Sequence, residues 1–266
     1  MTDSDLKICM LPLEISWGEK KKNLENLERV VSQVHPETDL LILPETFSTG
    51  FPSGNNKEDI RLLAERNTGP TIDFLKRISK ERNFAIAGSF IADSGGLFYN
   101  RSFIVEPSGD EYFADKRHLF SMGGEDKVFR PGVTRLKARF RGWNIAMIVC
   151  YDLRFPVWCR NIDNEYDLLI AVSNWPKVRI DVWNTLLKAR AIENSAYVCG
   201  VDCKGIDLNN HEYDGSSHVF DFVGRNITIK IDESGLLYAT LSKQKLVDFR
   251  KKFPVLKDSD IFEIKI

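Results

Sequence analysis

The sequence predicts an α/β fold, and three observations carry that prediction. Apolar runs of strand length alternate with amphipathic helical segments from residue 6 to residue 91, the β-α-β-α-β order that favours parallel strands covered by helices. The run Trp143-Asn144-Ile145-Ala146-Met147-Ile148-Val149 closes in Cys150 and is followed at once by Tyr151-Asp152-Leu153-Arg154. That pattern is a buried strand delivering a thiol to its carboxyl end, where α/β folds place their ligands. Two more segments end in the same way, Asp39-Leu40-Leu41-Ile42-Leu43-Pro44 in Glu45 and Tyr112-Phe113-Ala114-Asp115 in Lys116.

Residues 6–13 read as the first strand. A helix over 22–34 follows, because Leu24, Leu27, Val30, Val31 and Val34 recur at helical spacing and share one face. Residues 39–44 return toward the core as a strand. Pro70 stands where a first-turn proline is welcome, after Asn67-Thr68-Gly69, and Ile72, Leu75 and Ile78 carry a second helix to about residue 81. The third strand is 84–91. After Asp93-Ser94-Gly95-Gly96, residues 98–106 and 111–115, joined by Pro107-Ser108-Gly109-Asp110, read as an antiparallel hairpin. Residues 120–134 are rich in Gly and charge without periodicity, and a loop of that length is more often functional than decorative. The β-α-β order resumes with a strand segment over 136–150, a short helix near 156–160, a strand at 168–173 and a helix over 180–194. Residues 197–231 read as strand and hairpin, and 243–253 as a last helix ended by Pro254. No internal repeat or low-complexity segment is present.

At 266 residues without a visible linker, one domain over 1–266 is expected, near the upper size for a single core. With 37 basic against 38 acidic residues the formal net charge is −1, so the balance calls for no nucleic acid and no anionic membrane, and leaves a small molecule as the expected partner. The opening Met1-Thr2-Asp3-Ser4-Asp5-Leu6-Lys7 lacks the regions of a signal peptide, and no apolar stretch reaches the roughly 20 residues a membrane helix needs. A soluble, cytoplasmic protein is the expectation. Its five cysteines are an odd count with no Cys-x-x-Cys, so the thiols are read as reduced.

A carboxylate, an ammonium and a thiol at strand ends are the parts of a nucleophile with its own base and oxyanion stabiliser. Each alone has a plainer reading. Cys150 would be a buried structural thiol, since free cysteine is among the most buried residue types. Its polar sequel argues otherwise, because a strand with no task at its end continues into a plain turn. Glu45 would be a solvated strand-end charge behind a terminating Pro44, and Lys116 a member of the charge cluster Asp115-Lys116-Arg117-His118. Rival chemistries find less support. His35, His118, His211 and His218 form no metal-ligand spacing, Cys199-x-x-x-Cys203 lies on a strand, and no Gly-x-Ser-x-Gly, Gly-x-Gly-x-x-Gly or P-loop occurs. Cys9, Cys159 and Cys199 read as packing residues. Two classes stay open: a thiol amidase, and a non-catalytic α/β binding protein in which the same residues are structural.

Three ordered motifs now bear on that choice. They are Leu43-Pro44-Glu45-Thr46-Phe47-Ser48-Thr49-Gly50-Phe51, Phe113-Ala114-Asp115-Lys116-Arg117-His118-Leu119-Phe120 and Val149-Cys150-Tyr151-Asp152-Leu153-Arg154-Phe155-Pro156. Together they resemble the carbon–nitrogen hydrolase (nitrilase) superfamily over nearly the whole chain. Asn174-Trp175-Pro176 and the run from Ala189-Arg190-Ala191 to Tyr197-Val198 are similar to the same superfamily, with a texture closest to its bacterial omega-amidase branch. Glu125, standing before Arg130-Pro131-Gly132, matches the superfamily's second glutamate.

The resemblance implies a four-layer α-β-β-α sandwich, a site without metal or cofactor, and homodimers or larger homo-oligomers. It implies Cys150 as nucleophile, Glu45 as its base and later acid, and Lys116 with the backbone N–H of Tyr151 as oxyanion stabilisers. Glu125 would orient Lys116 or the substrate amide. The omega-amidase branch implies hydrolysis of the terminal amide of 2-oxo dicarboxylate monoamides, 2-oxoglutaramate and 2-oxosuccinamate. Their distant carboxylate calls for the fork of an arginine, with Arg154, Arg179 and Arg130 as candidates, and Arg154 equally open as a structural partner of Asp152. Asn174 and Trp175 would wall the pocket. A nitrilase, an N-carbamoyl hydrolase and an amidase for deaminated glutathione share the same motif residues.

Overall fold

The computed structural model describes residues 5–51, 57–230 and 234–265. Along the first part of the chain run β1 (Leu6–Met10), α1 (Lys20–Val31), β2 (Leu40–Ile42), α2 (Lys57–Leu63), α3 (Pro70–Arg82), β3 (Ala85–Ser94), β4 (Leu97–Val105) and β5 (Glu111–Asp115). Then follow α4 (Glu125–Val128), β6 (Leu136–Phe140), β7 (Trp143–Val149), α5 (Pro156–Cys159), β8 (Leu168–Ser173) and α6 (Ile180–Glu193). The last part holds β9 (Tyr197–Asp202), β10 (Lys204–Ile206), β11 (Glu212–Asp214), β12 (His218–Phe220), β13 (Ile229–Lys230), β14 (Leu237–Leu241) and α7 (Lys243–Lys252).

Two sheets form the centre. One has the order β13-β14-β1-β2-β3-β4-β5 and the other β12-β9-β8-β7-β6. β1, β2 and β3 pair in parallel, and β5, two antiparallel steps from β3, points the same way. β7, β8 and β9 are likewise parallel. The carboxyl ends of β2 and β5 in one sheet, and of β7 and β8 in the other, are therefore the places from which Glu45, Lys116, Cys150 and Asn174 depart.

Side-chain alternation assigns the layers. Leu6, Ile8, Met10, Leu40, Ile42, Ala85 and Ala87 pack against Trp143, Ile145, Met147, Val149, Leu168, Ile170 and Val172, forming the core between the sheets. The opposite face of the first sheet, with Cys9, Leu41, Leu43 and Ile86, packs on Leu27 and Val31 of α1 and on Ile72, Leu75 and Ile78 of α3. The outer face of the second sheet, with Ala146, Ile148, Leu169 and Ala171, packs on Trp183, Leu187 and Ala191 of α6. Strands buried on both faces read as continuous apolar runs, the texture seen in the sequence. The four-layer α-β-β-α sandwich implied by the resemblance is the arrangement observed.

Several element boundaries move for local reasons. β1 stops at Met10 because Pro12 has no N–H to give the ladder. α1 ends at Val31, where the chain tightens into turns in which the Gln33 N–H donates to the Val30 carbonyl and the Val34 N–H to the Val31 carbonyl, although Val34 is still buried as its spacing predicts. The segment read as one strand over 136–150 is a hairpin: Phe140 pairs with Trp143 across the two-residue turn Arg141-Gly142, both residues with positive φ. That is the backbone a tight, right-twisted hairpin requires. The loop over 120–134 contains a 3-10 turn (Ser121–Gly123) and α4, which starts at Glu125. The helix α2 and the strand β14, which pairs with β1, were not predicted. The strand-and-hairpin segment is observed as β9 to β13, while its last residue, Ile231, lies outside the described residues. No helix among the described residues is long and apolar enough to cross a membrane.

Candidate active site

The site begins with the conformation of Cys150. β7 leads into a 3-10 turn (Cys150–Arg154), and Cys150 itself has φ +46°, a sparsely populated region for a residue with a Cβ. The turn is held by Asp152, whose carboxylate accepts the backbone N–H of Val149 at 3.1 Å and that of His118 at 2.8 Å. His118 Nδ1 lies 2.8 Å from the same carboxylate, and the imidazole stacks on Phe155 with centroids 3.7 Å apart. Asp152 thus ties the turn carrying the thiol to the segment just after Lys116. It is His118 and Val149, not Arg154, that Asp152 partners.

Lys116, read from the sequence alone as a solvated charge, is buried with 3% of its surface exposed, as are Glu45 at 2% and Glu125 at 0%. Its Nζ donates to Glu45 Oε1 at 3.1 Å and to Glu125 Oε2 at 2.8 Å. Burial works against the ammonium, but the two carboxylates outweigh it and hold the Lys116 pKa well above its ordinary value. Burial raises the pKa of Glu125, opposed by Lys116 and by the backbone N–H of Phe120, which donates to Glu125 Oε2 at 2.6 Å. Glu45 is fixed at both oxygens: Asn100 Nδ2 donates to Oε1 at 2.7 Å, and the backbone N–H of Asn174 donates to Oε2 at 2.8 Å.

Asn100, on β4, bears on both glutamates, with a longer contact of 3.5 Å to Glu125 Oε1. It was missed in the sequence, where its only signal is an amide in the middle of a strand, a position asparagine disfavours. Ser173 was also missed; its hydroxyl donates to Cys150 Sγ at 3.3 Å. Burial first and Glu45 second push the Cys150 thiol well above the ordinary cysteine range, against Lys116 and Ser173. The sulfur therefore rests as a thiol and needs a base beside it to become a nucleophile.

The remaining predicted residues join the same cavity, of about 180 Å³, lined by Glu45, Lys116, Glu125 and Cys150 together with Tyr151, Arg154, Asn174 and Trp175. Tyr151 packs edge-on against Phe120 and Phe155. Arg154 lies over the Trp175 ring, 4.9 Å from its centroid, a cation–π contact that leaves its N–H donors available. The backbone N–H of Trp175 donates to Asp202 Oδ1 at 2.7 Å, fixing the corner from which Asn174 reaches Glu45. Burial pushes the Asp202 carboxyl well above the usual range, against the backbone donors of Trp175 and Cys203. Of the other two arginines considered, Arg179 lines the cavity, whereas Arg130 is exposed and absent from its lining. No group of three or more His, Cys, Asp or Glu side chains among the described residues is arranged to hold a metal ion.

Comparison with known proteins agrees with this geometry. A family model described as carbon-nitrogen hydrolase matches residues 7–251. The omega-amidase YafV of Yersinia enterocolitica is 38% identical over 263 residues, covering 97% of this chain and 98% of that protein. The 2-oxoglutaramate amidase of Bacillus subtilis (strain 168) is 30% identical over 256 residues, covering 94% of this chain and 96% of that one. Among solved structures, XC1258 from Xanthomonas campestris, a CN-hydrolase superfamily protein with an arsenic adduct in its active site, superimposes with a TM-score of 0.92. It is 35% identical, over 98% of this chain and all of that one. A thiol, two carboxylates and a buried lysine in one cavity, within a family match that spans most of the sequence, place the chain in the carbon–nitrogen hydrolase family, whose members act on carbon–nitrogen bonds other than peptide bonds.

Proposed function

We propose that this protein is an omega-amidase that hydrolyses the terminal amide of 2-oxo dicarboxylate monoamides, 2-oxoglutaramate and 2-oxosuccinamate, to the 2-oxo acid and ammonia through a thioester on Cys150. The observation that carries this reading is Lys116, buried and bonded to both Glu45 and Glu125 in the cavity that Cys150 lines. The substrate follows from relatives named for omega-amidase and 2-oxoglutaramate amidase activity.

Glu45 removes the thiol proton as sulfur attacks the amide carbon, which solves the problem of a thiol held well above neutrality. The oxyanion forms against the Lys116 ammonium and the backbone N–H of Tyr151, an interaction commonly worth about 3 kcal/mol per donor. While Glu45 carries a proton, Glu125 and the oxyanion itself keep the charge on Lys116, so the ammonium stays protonated. Glu45 then gives its proton to the departing ammonia, leaving the acyl group on sulfur. In the second half, Glu45 takes a proton from water, hydroxide adds to the thioester carbon, and the sulfur leaves and recovers that proton. Glu125 orients Lys116, since it accepts the shorter of the two Nζ bonds. Tyr151, Arg154, Asn174 and Trp175, which line the cavity beside the reacting groups, bind the substrate, with Arg154 held over the Trp175 ring.

The test is ammonia release from 2-oxoglutaramate beside glutamine, a simple nitrile and an N-carbamoyl amino acid, with wild type and Cys150→Ala in parallel. Activity is expected on the 2-oxo amide and is expected to vanish in the mutant. Preference for another substrate in the set would discard the omega-amidase reading while keeping the thioester. A folded Cys150→Ala that releases ammonia at the wild-type rate would discard the mechanism.

A further inference from the structure

The cavity has a second polar group, at its rim, that the thioester chemistry does not use. Part of it is the loop between β10 and β11. There Asp207 accepts the backbone N–H of Asn209 at 2.8 Å and of His211 at 2.9 Å, and the Tyr213 hydroxyl at 3.1 Å. His211 Nδ1 lies 2.9 Å from Asp207 Oδ2. Burial would raise the Asp207 carboxyl, but these donors, the His211 ring foremost, hold it below its usual value. An ionised carboxylate only accepts, so Nδ1 carries the proton and Nε2 is the ring's remaining polar atom. Nε2 has no partner among the described residues. The other part is Arg179, at the end of a 3-10 turn (Lys177–Arg179) pinned by a 2.9 Å bond from Trp175 Nε1 to the Arg179 carbonyl. The Arg179 guanidinium has no carboxylate partner among the described residues.

The charges lining the cavity balance in number but not in pairing. The lining of the cavity carries three fixed cations, Lys116, Arg154 and Arg179, against three carboxylates, Glu45, Glu125 and Asp207. Lys116 is engaged by two of those carboxylates, and Asp207 is saturated by its own loop. Arg154 and Arg179 are thus left facing the cavity without a carboxylate among the described residues, and Arg179 stands with the Asp207-bound His211 at the exposed rim rather than among the buried reacting groups.

We propose that Arg179 and His211, the latter oriented by Asp207, form the subsite for a carboxylate on the acyl part of the substrate. This rests on the amidase reading above. With Asp207 behind Nδ1, Nε2 is the ring atom turned to that carboxylate.

Steady-state kinetics of the full chain test this, with 2-oxoglutaramate and the uncharged butyramide as substrates and with His211→Gln and Arg179→Met as variants. In each variant the ratio of kcat/KM for 2-oxoglutaramate over butyramide is expected to fall roughly ten-fold or more, chiefly through KM, as loss of a charged hydrogen bond does. An unchanged ratio, or equal losses on both substrates, overturns the subsite while leaving the proposed function intact. A wild type inactive on 2-oxoglutaramate but active on butyramide overturns the subsite and the substrate together, and one inactive on both removes the proposed function itself.

Discussion

Lys116 is the residue on which the site turns. An ammonium withdrawn from water is tolerated here because two buried carboxylates bond to it, and removing one member of such a set commonly costs about 3–5 kcal/mol. Lys116→Met keeps the length of the side chain and removes the charge. It is expected to abolish activity and to destabilise the fold, and the pH dependence of that loss has a definite sign. Glu125 already has a raised pKa from burial, with Lys116 its first opponent, so without Lys116 the folded-state value rises further. A raised folded-state pKa means stability that is present below the unfolded-state carboxyl pKa and lost as pH rises through the folded one. Urea unfolding should therefore show a larger deficit for Lys116→Met at pH 8 than at pH 5, and equal deficits would contradict the coupling. Cys150, Glu45 and Lys116 were legible in the sequence because each closes an apolar run. Asn100, Ser173 and Asp202 were not, because a polar residue inside or at the end of a strand acquires meaning only from what lies opposite it.

At the scale of elements, two close approaches hold the site in place. Gly132 lies against the end of β5: its N–H donates to the Lys116 carbonyl at 2.8 Å, and a Cβ there would overlap the carbonyl oxygen of Asp115. Backbone cannot swing aside as a flexible side chain does. Gly132→Ala is expected to displace Lys116 from between its glutamates and lower kcat at least ten-fold, whereas a kcat within two-fold of wild type would show that β5 yields without moving the lysine; the scale is that of a small misplacement of a catalytic group. Gly200 plays the corresponding part in β9, where a Cβ would overlap Leu187 and press on Trp183 of α6. Most element types were readable from periodicity, including the helix face of Ile72, Leu75 and Ile78. The β6–β7 hairpin was not, since Arg141-Gly142 is a weak turn signal and the full burial of β7 masks the alternation that β6 shows.

For the molecule as a whole, burial sorts the five thiols. Cys9, Cys159, Cys199 and Cys203 are buried, and Cys150 alone is partly exposed. Burial pushes Cys9 and Cys159 up to about 12, so neither has an accessible thiolate near neutrality. Iodoacetamide should label one thiol in the native protein and five in denaturant, with inactivation tracking the first, and mass spectrometry of the digested protein locates the label. A native stoichiometry above one, or a first label on another cysteine, would show that the sandwich opens on the labelling timescale.

The sequence by itself determined the parts. It set the apolar runs, the helical faces, the turn residues and three chemically capable side chains at strand ends, because hydrophobic periodicity and backbone preference are local properties. The tertiary structure decided which parts meet. The backbone of Asn174 reaches Glu45 across 129 residues of sequence, and Lys116 reaches it across 71. Strand pairing and sheet stacking are choices between distant segments that no local window contains. The same stacking turned a lysine that reads as solvent-exposed into a buried one, and brought His211, on a loop with no periodic signal, to the rim of the cavity.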